Sequence, residues 1–159
     1  MNFSKPFTVS FFGHRQLDNF RLIEDKLDEL IHQLLSEKEY VEFLVGRDGD
    51  FDQLVSSAVK RAKRNYRDDN SSLVWVLPYS SAELRMNLKN FREYYDEINI
   101  YDTAENVHPK AAFQYRNRGM VDRSDLVVFY VKNEDGGAWQ TMEYAIQKER
   151  TILNLAALE

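Results

Sequence analysis

A Gly-Gly pair and an arginine upstream of it are the residues whose types and spacing most directly suggest chemistry. Gly136 and Gly137 lie between an apolar run and a segment with helical periodicity. Glycines in that position let backbone N–H groups approach a ligand, and the N-terminus of the helix adds positive potential. The pair therefore predicts an anion site, and the alternative is a simple flexible turn.

Arg116 stands where the helical pattern calls for a core residue, three residues after Phe113 and four before Met120. An arginine there either extends its charged end to water or meets an anion. Combined with the glycine pair, the second alternative predicts a nucleotide-like ligand.

The helix that follows the glycine pair supplies further candidates. Ala138, Trp139 and Gln140 would contribute backbone N–H groups at its start. The Trp139 ring would either cover a ligand base or pack against a neighbouring helix. Glu143, in the second turn, is a candidate acid, base or hydroxyl-binding group, although a carboxylate near a helix N-terminus is also an ordinary structural choice.

A second glycine loop, Gly13-His14-Arg15, follows the first predicted strand. Arg15 could hold a phosphate, and His14 could bond either a ligand or the backbone. The histidines of the chain lack metal-ligand spacing, so we predict no metal site.

A third loop runs from Gly46 to Asp52 after the second predicted strand. Its turn, with Gly46 and Gly49, offers backbone N–H groups to a ligand. Asp52 either receives a ribose hydroxyl or caps the next helix. Asp50, with Gln53 three residues later, is predicted to cap that helix as well.

Strands and helices alternate along the whole chain. The predicted strands are Phe7–Phe12, Tyr40–Val45, Leu73–Leu77, Ile98–Tyr101, Leu126–Val131 and Thr151–Leu155. Long helices are expected over about 18–38, 81–94 and 108–123. Two more are expected over about 50–62, at the end of the Gly46–Asp52 loop, and over about 136–146, from the Gly136-Gly137 pair onward. Right-handed crossovers then give a Rossmann-like α/β three-layer sandwich, a mostly parallel sheet with helices on both faces. Ligands bind such sheets beyond the carboxyl ends of the strands, where the glycine loops should meet.

Composition narrows the class of protein. At 159 residues the chain is expected to form one domain, 1–159. The absence of cysteine excludes disulfides and thiolate sites, and it is typical of a reducing compartment. No signal peptide or apolar run of membrane-spanning length is recognisable, so we expect a cytoplasmic protein. A net charge of −5 argues against a nucleic-acid partner.

Four sequence blocks together resemble the SLOG superfamily, the Rossmann-like group named for the Smf/DprA and LOG proteins, and most of all its small YpsA/YoqJ-like branch. The blocks are Phe11 to Arg15, Gly46 to Asp52, Arg116 to Asp125, and Gly136 to Ala145. The last is similar to a "GGT..T..YA" pattern, in which Ala138 replaces the first threonine and Thr141 takes the place of the second. The resemblance implies a nucleotide or nucleotide-derived ligand at the strand ends and suggests a homo-oligomer. We predict no cofactor.

The enzymes of this superfamily are phosphoribohydrolases that cleave the N-glycosidic bond of nucleoside monophosphates. The resemblance places their catalytic arginine at Arg116 and their catalytic glutamate at Glu143. The hydrolase motif, however, has proline, glycine and threonine where this chain has Asp135, Trp139 and Gln140. We therefore expect a ligand-binding sensor or regulatory module, with phosphoribohydrolase and non-catalytic protein scaffold as alternatives.

Overall fold

The structure is a computed structural model that describes residues 5–101 and 107–158. Its strands are β1 Phe7–Gly13, β2 Val41–Val45, β3 Ser71–Leu77, β4 Glu97–Ile100, β5 Leu126–Tyr130 and β6 Ile152–Asn154. Its helices are α1 Phe20–Glu37, α2 Asp50–Asn65, α3 Ala82–Met86, α4 Leu88–Tyr94, α5 Pro109–Arg123 and α6 Gly136–Gln147, followed by a 3₁₀ turn, Leu155–Leu158.

The six strands form one parallel sheet in the order β4-β3-β2-β1-β5-β6. Strands β2, β3 and β4 follow one another on one side of β1, and β5 pairs with the other side of β1. In register, Val9 lies beside Leu126 and Gly13 beside Tyr130. The strand order therefore reverses between β1 and β5, and the predicted parallel α/β fold is confirmed.

Apolar side chains alternate between the two faces of the sheet, as the period of two in a strand requires. On one face Phe11, Phe43 and Trp75 pack with buried residues of α1 and α2. On the other, Phe12 and Phe129 pack with buried residues of α5 and α6. The sheet is thus covered on both faces, which explains why its strands read as nearly continuous apolar runs.

Local differences from the predicted elements have identifiable causes. The helix predicted over 81–94 is two helices, because Asn87 leaves helical geometry (φ −128°, ψ 26°) while its side-chain amide donates to the Glu83 carbonyl oxygen at 3.0 Å. Ser81 caps the first of them, accepting the Leu84 N–H at 3.1 Å.

The predicted cap at Asp50 is wrong. Gly49 occupies the N-cap position of α2, and Asp50 is the first helical residue. The Asp50 carboxylate instead accepts the backbone N–H of Leu17 at 3.0 Å and so ties the loop after β1 to the start of α2.

Within the described ranges, no helix combines the length and apolarity that crossing a bilayer would need.

Candidate functional site

A cleft of about 1240 Å³ opens at the carboxyl ends of β1, β2 and β5, where the strand order reverses. This is the position at which parallel α/β sheets bind ligands. The following predicted site residues line it: Gly13, His14, Arg15, Gly46, Gly49, Asp52, Arg116, Gly136, Gly137, Ala138, Thr141 and Glu143. Three loops far apart in the chain therefore meet around one space, as the topology requires.

Arg116 is buried, with only 6% of its side chain exposed, and it does not extend to water. Its Nη2 donates to Asp48 Oδ2 at 2.9 Å, and its Nη1 donates to the Val76 carbonyl oxygen at 3.2 Å. Nε and Nη2 also donate to Asn117 Oδ1, at 3.1 and 2.8 Å. Phe113 lies beside the guanidinium, with its ring centroid 5.1 Å from Cζ. The buried charge is thus held by a carboxylate, an amide and a backbone carbonyl, as burial of an arginine demands.

Asp48 is a site residue that sequence reasoning missed. It lies in the turn after β2, lines the cleft and retains 28% side-chain exposure. The anion that Arg116 meets is therefore a carboxylate of the same chain. The only signal in the sequence was the presence of carboxylates in a glycine turn, which identifies no partner.

Gly46 sits where three polar groups converge. A Cβ atom added there would lie 3.0 Å from Arg116 Nη1, 3.0 Å from Asp48 Oδ2 and 3.1 Å from Asp52 Oδ2. Any other residue would press on this cluster. The glycine is thus explained by close approach of side chains as well as by the turn.

Asp52 is half-buried and faces inward from the first turn of α2. Its Oδ2 accepts the backbone N–H of Asp48 at 2.9 Å, which closes the turn between β2 and α2. Burial raises the pKa of this carboxyl to about 6, and the neighbouring Asp48 charge adds to the rise, while the Asp48 N–H and the charges of Arg116 and Arg15 oppose it. Asp52 consequently ionises in the range where ordinary aspartates are already charged.

A line of hydrogen bonds connects Arg116 to the glycine pair. Asn117, which accepts from Arg116, donates through Nδ2 to Thr141 Oγ1 at 3.1 Å. Thr141 Oγ1 in turn donates to the Gly137 carbonyl oxygen at 2.8 Å. The buried Thr141 hydroxyl is occupied within the protein, so its place in the site is to join α5 to the first turn of α6.

The glycine pair forms the first turn of α6, after Asp135 at the N-cap position. Gly136 has φ +86°, a conformation that side-chain-bearing residues rarely adopt. Both glycines are exposed, and a Cβ on either would meet nothing within 4 Å. The positive end of α6 is therefore open to the cleft.

His14 bonds the backbone. Its Nε2 accepts the N–H of Lys132 at 2.9 Å and that of Asn133 at 3.4 Å, so it carries no proton on that nitrogen. Arg15 is exposed, and its carbonyl oxygen accepts the Asp50 N–H at 2.9 Å. In the Gly13-His14-Arg15 loop, the charged side chain that lies open to the cleft is that of Arg15.

Trp139 is placed apart from the other predicted site residues. It is half-buried, packs against the apolar cluster between the sheet and α5/α6, and does not line the cleft. Glu143 does line the cleft, from the exposed side of α6.

Charges in the cleft balance among the described residues that line it, with four cationic and four acidic side chains. They are Arg15, Lys110, Arg116 and Arg118, and Asp48, Asp52, Asp135 and Glu143. Within 5–101 and 107–158 no three histidine or acidic side chains are grouped so as to hold a metal ion.

No protein-family model matches the chain, and no curated protein matches it in sequence. Solved structures do share its fold. One is DNA processing protein A (DprA) from Streptococcus pneumoniae, with a TM-score of 0.67 at 18% identity over 92% of this chain and 49% of that one. A second is DprA from Helicobacter pylori, in a structure that addresses its single-stranded DNA binding mode, with a TM-score of 0.65 at 16% identity over 92% and 64%.

A third structure is the molybdenum cofactor carrier protein from Chlamydomonas reinhardtii, with a TM-score of 0.62 at 13% identity over 96% of this chain and 78% of that one. The chain spans about half the length of the S. pneumoniae protein. At these identities the likeness concerns the fold, so the chain shares the Rossmann-like fold of the DprA proteins and of this cofactor carrier.

Proposed function

We propose that the cleft binds a nucleotide or nucleotide-derived ligand and that the protein is a sensor or regulatory module. The observation that carries the proposal is the meeting, at one sheet edge, of the open first turn of α6 with the loops after β1 and β2. The N-terminus of α6 suits a phosphate, since its backbone N–H groups and dipole favour negative charge. A cleft of about 1240 Å³ also leaves room for a sugar and a base.

Binding is favoured over hydrolysis by the state of Arg116. A catalytic arginine must offer its donors to the reacting group, and here they serve Asp48, Asn117 and Val76. The exposed position of Glu143 likewise leaves it in water. Neither residue is arranged as a prepared catalytic group.

Titration calorimetry with AMP, ADP-ribose and NAD tests the proposal. We expect at least one of them to bind below millimolar concentration. Gly137→Asp should weaken that binding at least tenfold, because the new carboxylate would sit in the first turn of α6 and repel the phosphate. Asn90→Asp adds the same charge on exposed α4, outside the cleft, and should leave binding unchanged. Failure of all three ligands to bind at millimolar concentration would refute the proposal.

A phosphoribohydrolase is the second candidate, because Arg116 and Glu143 line the same cleft. Incubation with AMP followed by chromatography for free adenine separates the two functions. Adenine release that is lost in Glu143→Ala would establish the enzyme, and binding without release would favour the module.

Single-stranded nucleic acid is a further ligand to test by titration calorimetry. The net charge of −5 and the balanced cleft provide no basic surface of the kind that nucleic-acid binding uses. The H. pylori relative nevertheless binds single-stranded DNA, so the fold gives no ground for excluding it. A short single-stranded oligonucleotide that binds more tightly than AMP would reassign the ligand.

We further propose that the protein belongs to the YpsA/YoqJ-like branch, acts in the cytoplasm and forms a homo-oligomer. The glycine-loop blocks support the branch, and the lack of cysteine suits a reducing compartment. Homo-oligomers are common among such proteins. Light scattering coupled to size-exclusion chromatography measures the oligomeric state directly.

A further inference from the structure

Asp48 is the more exposed partner of the buried Arg116 charge. Its side chain is 28% exposed, against 6% for that of Arg116, and both residues line the cleft. Nη2 of Arg116 donates to Asp48 Oδ2 at 2.9 Å. One guanidinium donor is therefore taken by a carboxylate of the same chain that is itself in contact with the cleft.

The other hydrogen-bond partners of Arg116 are neutral. Nε and Nη2 donate to Asn117 Oδ1, and Nη1 donates to the Val76 carbonyl oxygen. They lie in α5 and β3, whereas Asp48 belongs to the turn between β2 and α2. Removal of the Asp48 side chain would thus free one Nη2 donor and leave the other contacts of the guanidinium in place.

A carboxylate and a phosphate compete for the same donors of an arginine. Both accept from the guanidinium N–H groups, at about 2.7–2.9 Å between nitrogen and oxygen. The Asp48 oxygen already lies at that distance, so it holds the position that an oxygen of an anionic ligand would take. An anion that enters the cleft must displace Asp48 before it can accept that hydrogen bond.

Charges around the pair are balanced. Asp52 lies beside Asp48, because its Oδ2 accepts the Asp48 N–H at 2.9 Å, and the charges of Arg116 and Arg15 act on it. Two guanidinium groups therefore lie near two carboxyl groups. Loss of the Asp48 side chain would leave two positive charges near one carboxyl group, which favours an anion.

From these contacts we infer that Asp48 is a specificity-determining residue, which occupies Arg116 as an internal anion and keeps the phosphate of a ligand away from this end of the cleft. The phosphate then lies at the first turn of α6, near Gly136 and Gly137, and the part of the ligand nearest Asp48 carries no negative charge. The place of the phosphate rests on the proposed function. The role of Asp48 at Arg116 can be tested without that ligand.

Titration calorimetry with pyrophosphate tests the inference with a probe that has no sugar or base. Asp48→Ala should bind pyrophosphate at least about tenfold more tightly than wild type, because a charge-assisted hydrogen bond from Arg116 becomes available. Asp68→Ala removes the same charge from an exposed residue outside the cleft and should leave the affinity unchanged. An Asp48→Ala protein that is folded and shows no gain would overturn the inference.

A double variant assigns the gain to the guanidinium. Asp48→Ala combined with Arg116→Met removes both partners of the pair, which a fold tolerates better than the loss of one. Its pyrophosphate affinity should return to the wild-type value. A gain that persists without the guanidinium would mean that another group binds the anion, and the inference would fail.

Asp48→Asn keeps the test decisive if the alanine variant does not fold. Its amide oxygen can still accept from Arg116 Nη2 while the negative charge is gone, so a gain of about threefold or more is expected. A gain in this variant, with no binding of AMP, ADP-ribose or NAD by wild type, would refute the proposed function and support the role of Asp48. Nucleotide binding by wild type, with no gain in either Asp48 variant, would overturn the inference alone.

Discussion

His14 Nε2 accepts the backbone N–H of Lys132 at 2.9 Å and thereby joins the loop after β1 to the loop after β5. These two loops flank the place where the strand order reverses. The β5–α6 loop ends at Asp135, so the histidine positions the approach to the open turn of α6.

Removal of the His14 side chain should loosen that loop. In His14→Ala the Lys132 and Asn133 amides lose their acceptor, and we expect their hydrogen exchange to quicken by about fivefold or more, which corresponds to about 1 kcal/mol. Exchange measured by NMR checks this. His32→Ala, a substitution on the exposed face of α1, is the matched control. Unchanged exchange at Lys132 would show that the loop is held by other contacts.

Arg116 should matter to stability whatever the ligand is. Arg116→Ala leaves Asp48, Asn117 and the Val76 carbonyl without their donor, and breaking a buried charge pair lowers the free energy of unfolding by about 3 kcal/mol. Urea unfolding measures the change. Arg118→Ala, on the exposed side of the same helix, should lower it by about 1 kcal/mol or less. Equal effects of the two variants would contradict the buried role of Arg116.

Asp52 gives stability a specific pH dependence. Its pKa is raised to about 6, so between about pH 4 and pH 6 the folded state holds a proton that the unfolded state has released. The contribution of Asp52 to the free energy of unfolding therefore falls as pH rises through this window and is constant above it.

The comparison that isolates this effect is wild type against Asp52→Asn. The variant should gain stability relative to wild type as pH rises from 4 to 6, by at most about 3 kcal/mol. Urea unfolding at intervals across the window provides the measurement. A parallel pair of pH curves would mean that Asp52 ionises as an ordinary aspartate.

The two glycines of α6 should respond differently to alanine. Gly136 has φ +86°, so Gly136→Ala introduces backbone strain of about 1–2 kcal/mol. Gly137 has no such φ and open space around it, so Gly137→Ala should be neutral or slightly stabilising. Thermal unfolding distinguishes them. Equal destabilisation would indicate that the turn is constrained by something other than φ.

Trp139 should affect folding but not binding. Because its ring packs on the apolar cluster and lies outside the lining of the cleft, Trp139→Leu should lower the free energy of unfolding by about 1–3 kcal/mol. The affinity for whichever nucleotide binds wild type should stay within twofold. A large loss of affinity in a folded variant would place the ring against the ligand.

The parallel sheet and its order of elements were predictable, because apolar runs alternating with helical periodicity depend only on neighbouring residues. The helix break at Asn87 was harder to predict from the sequence, since it depends on one side chain turning back to the Glu83 carbonyl oxygen. The Arg116–Asp48 pair was beyond local pattern altogether. It joins residues from α5 and the β2–α2 turn, and periodicity leaves open whether Arg116 extends to water or meets an anion.

Loop geometry and helix packing explain why other residues have different roles in the structure from those predicted. Asp50 had the residue type of a helix cap, but its carboxylate is taken by Leu17 of a loop that lies far away in the chain. Trp139 could equally have covered a ligand base, and only the packing of α6 on the sheet decides which way the ring faces. The lining of the cleft by the three glycine loops followed from topology, which makes strand ends meet.

The central position of β1 has a consequence for folding kinetics. One wall of the cleft comes from residues up to Asp52 and the other from Pro109 onward, so it is complete only when β5 docks against β1. This pairing joins strands that are far apart in the chain, and such non-local contacts lower the rate of folding. A ligand that binds the finished cleft therefore stabilises the pairing of β1 with β5, and ligand binding during refolding reports when both walls of the cleft are in place.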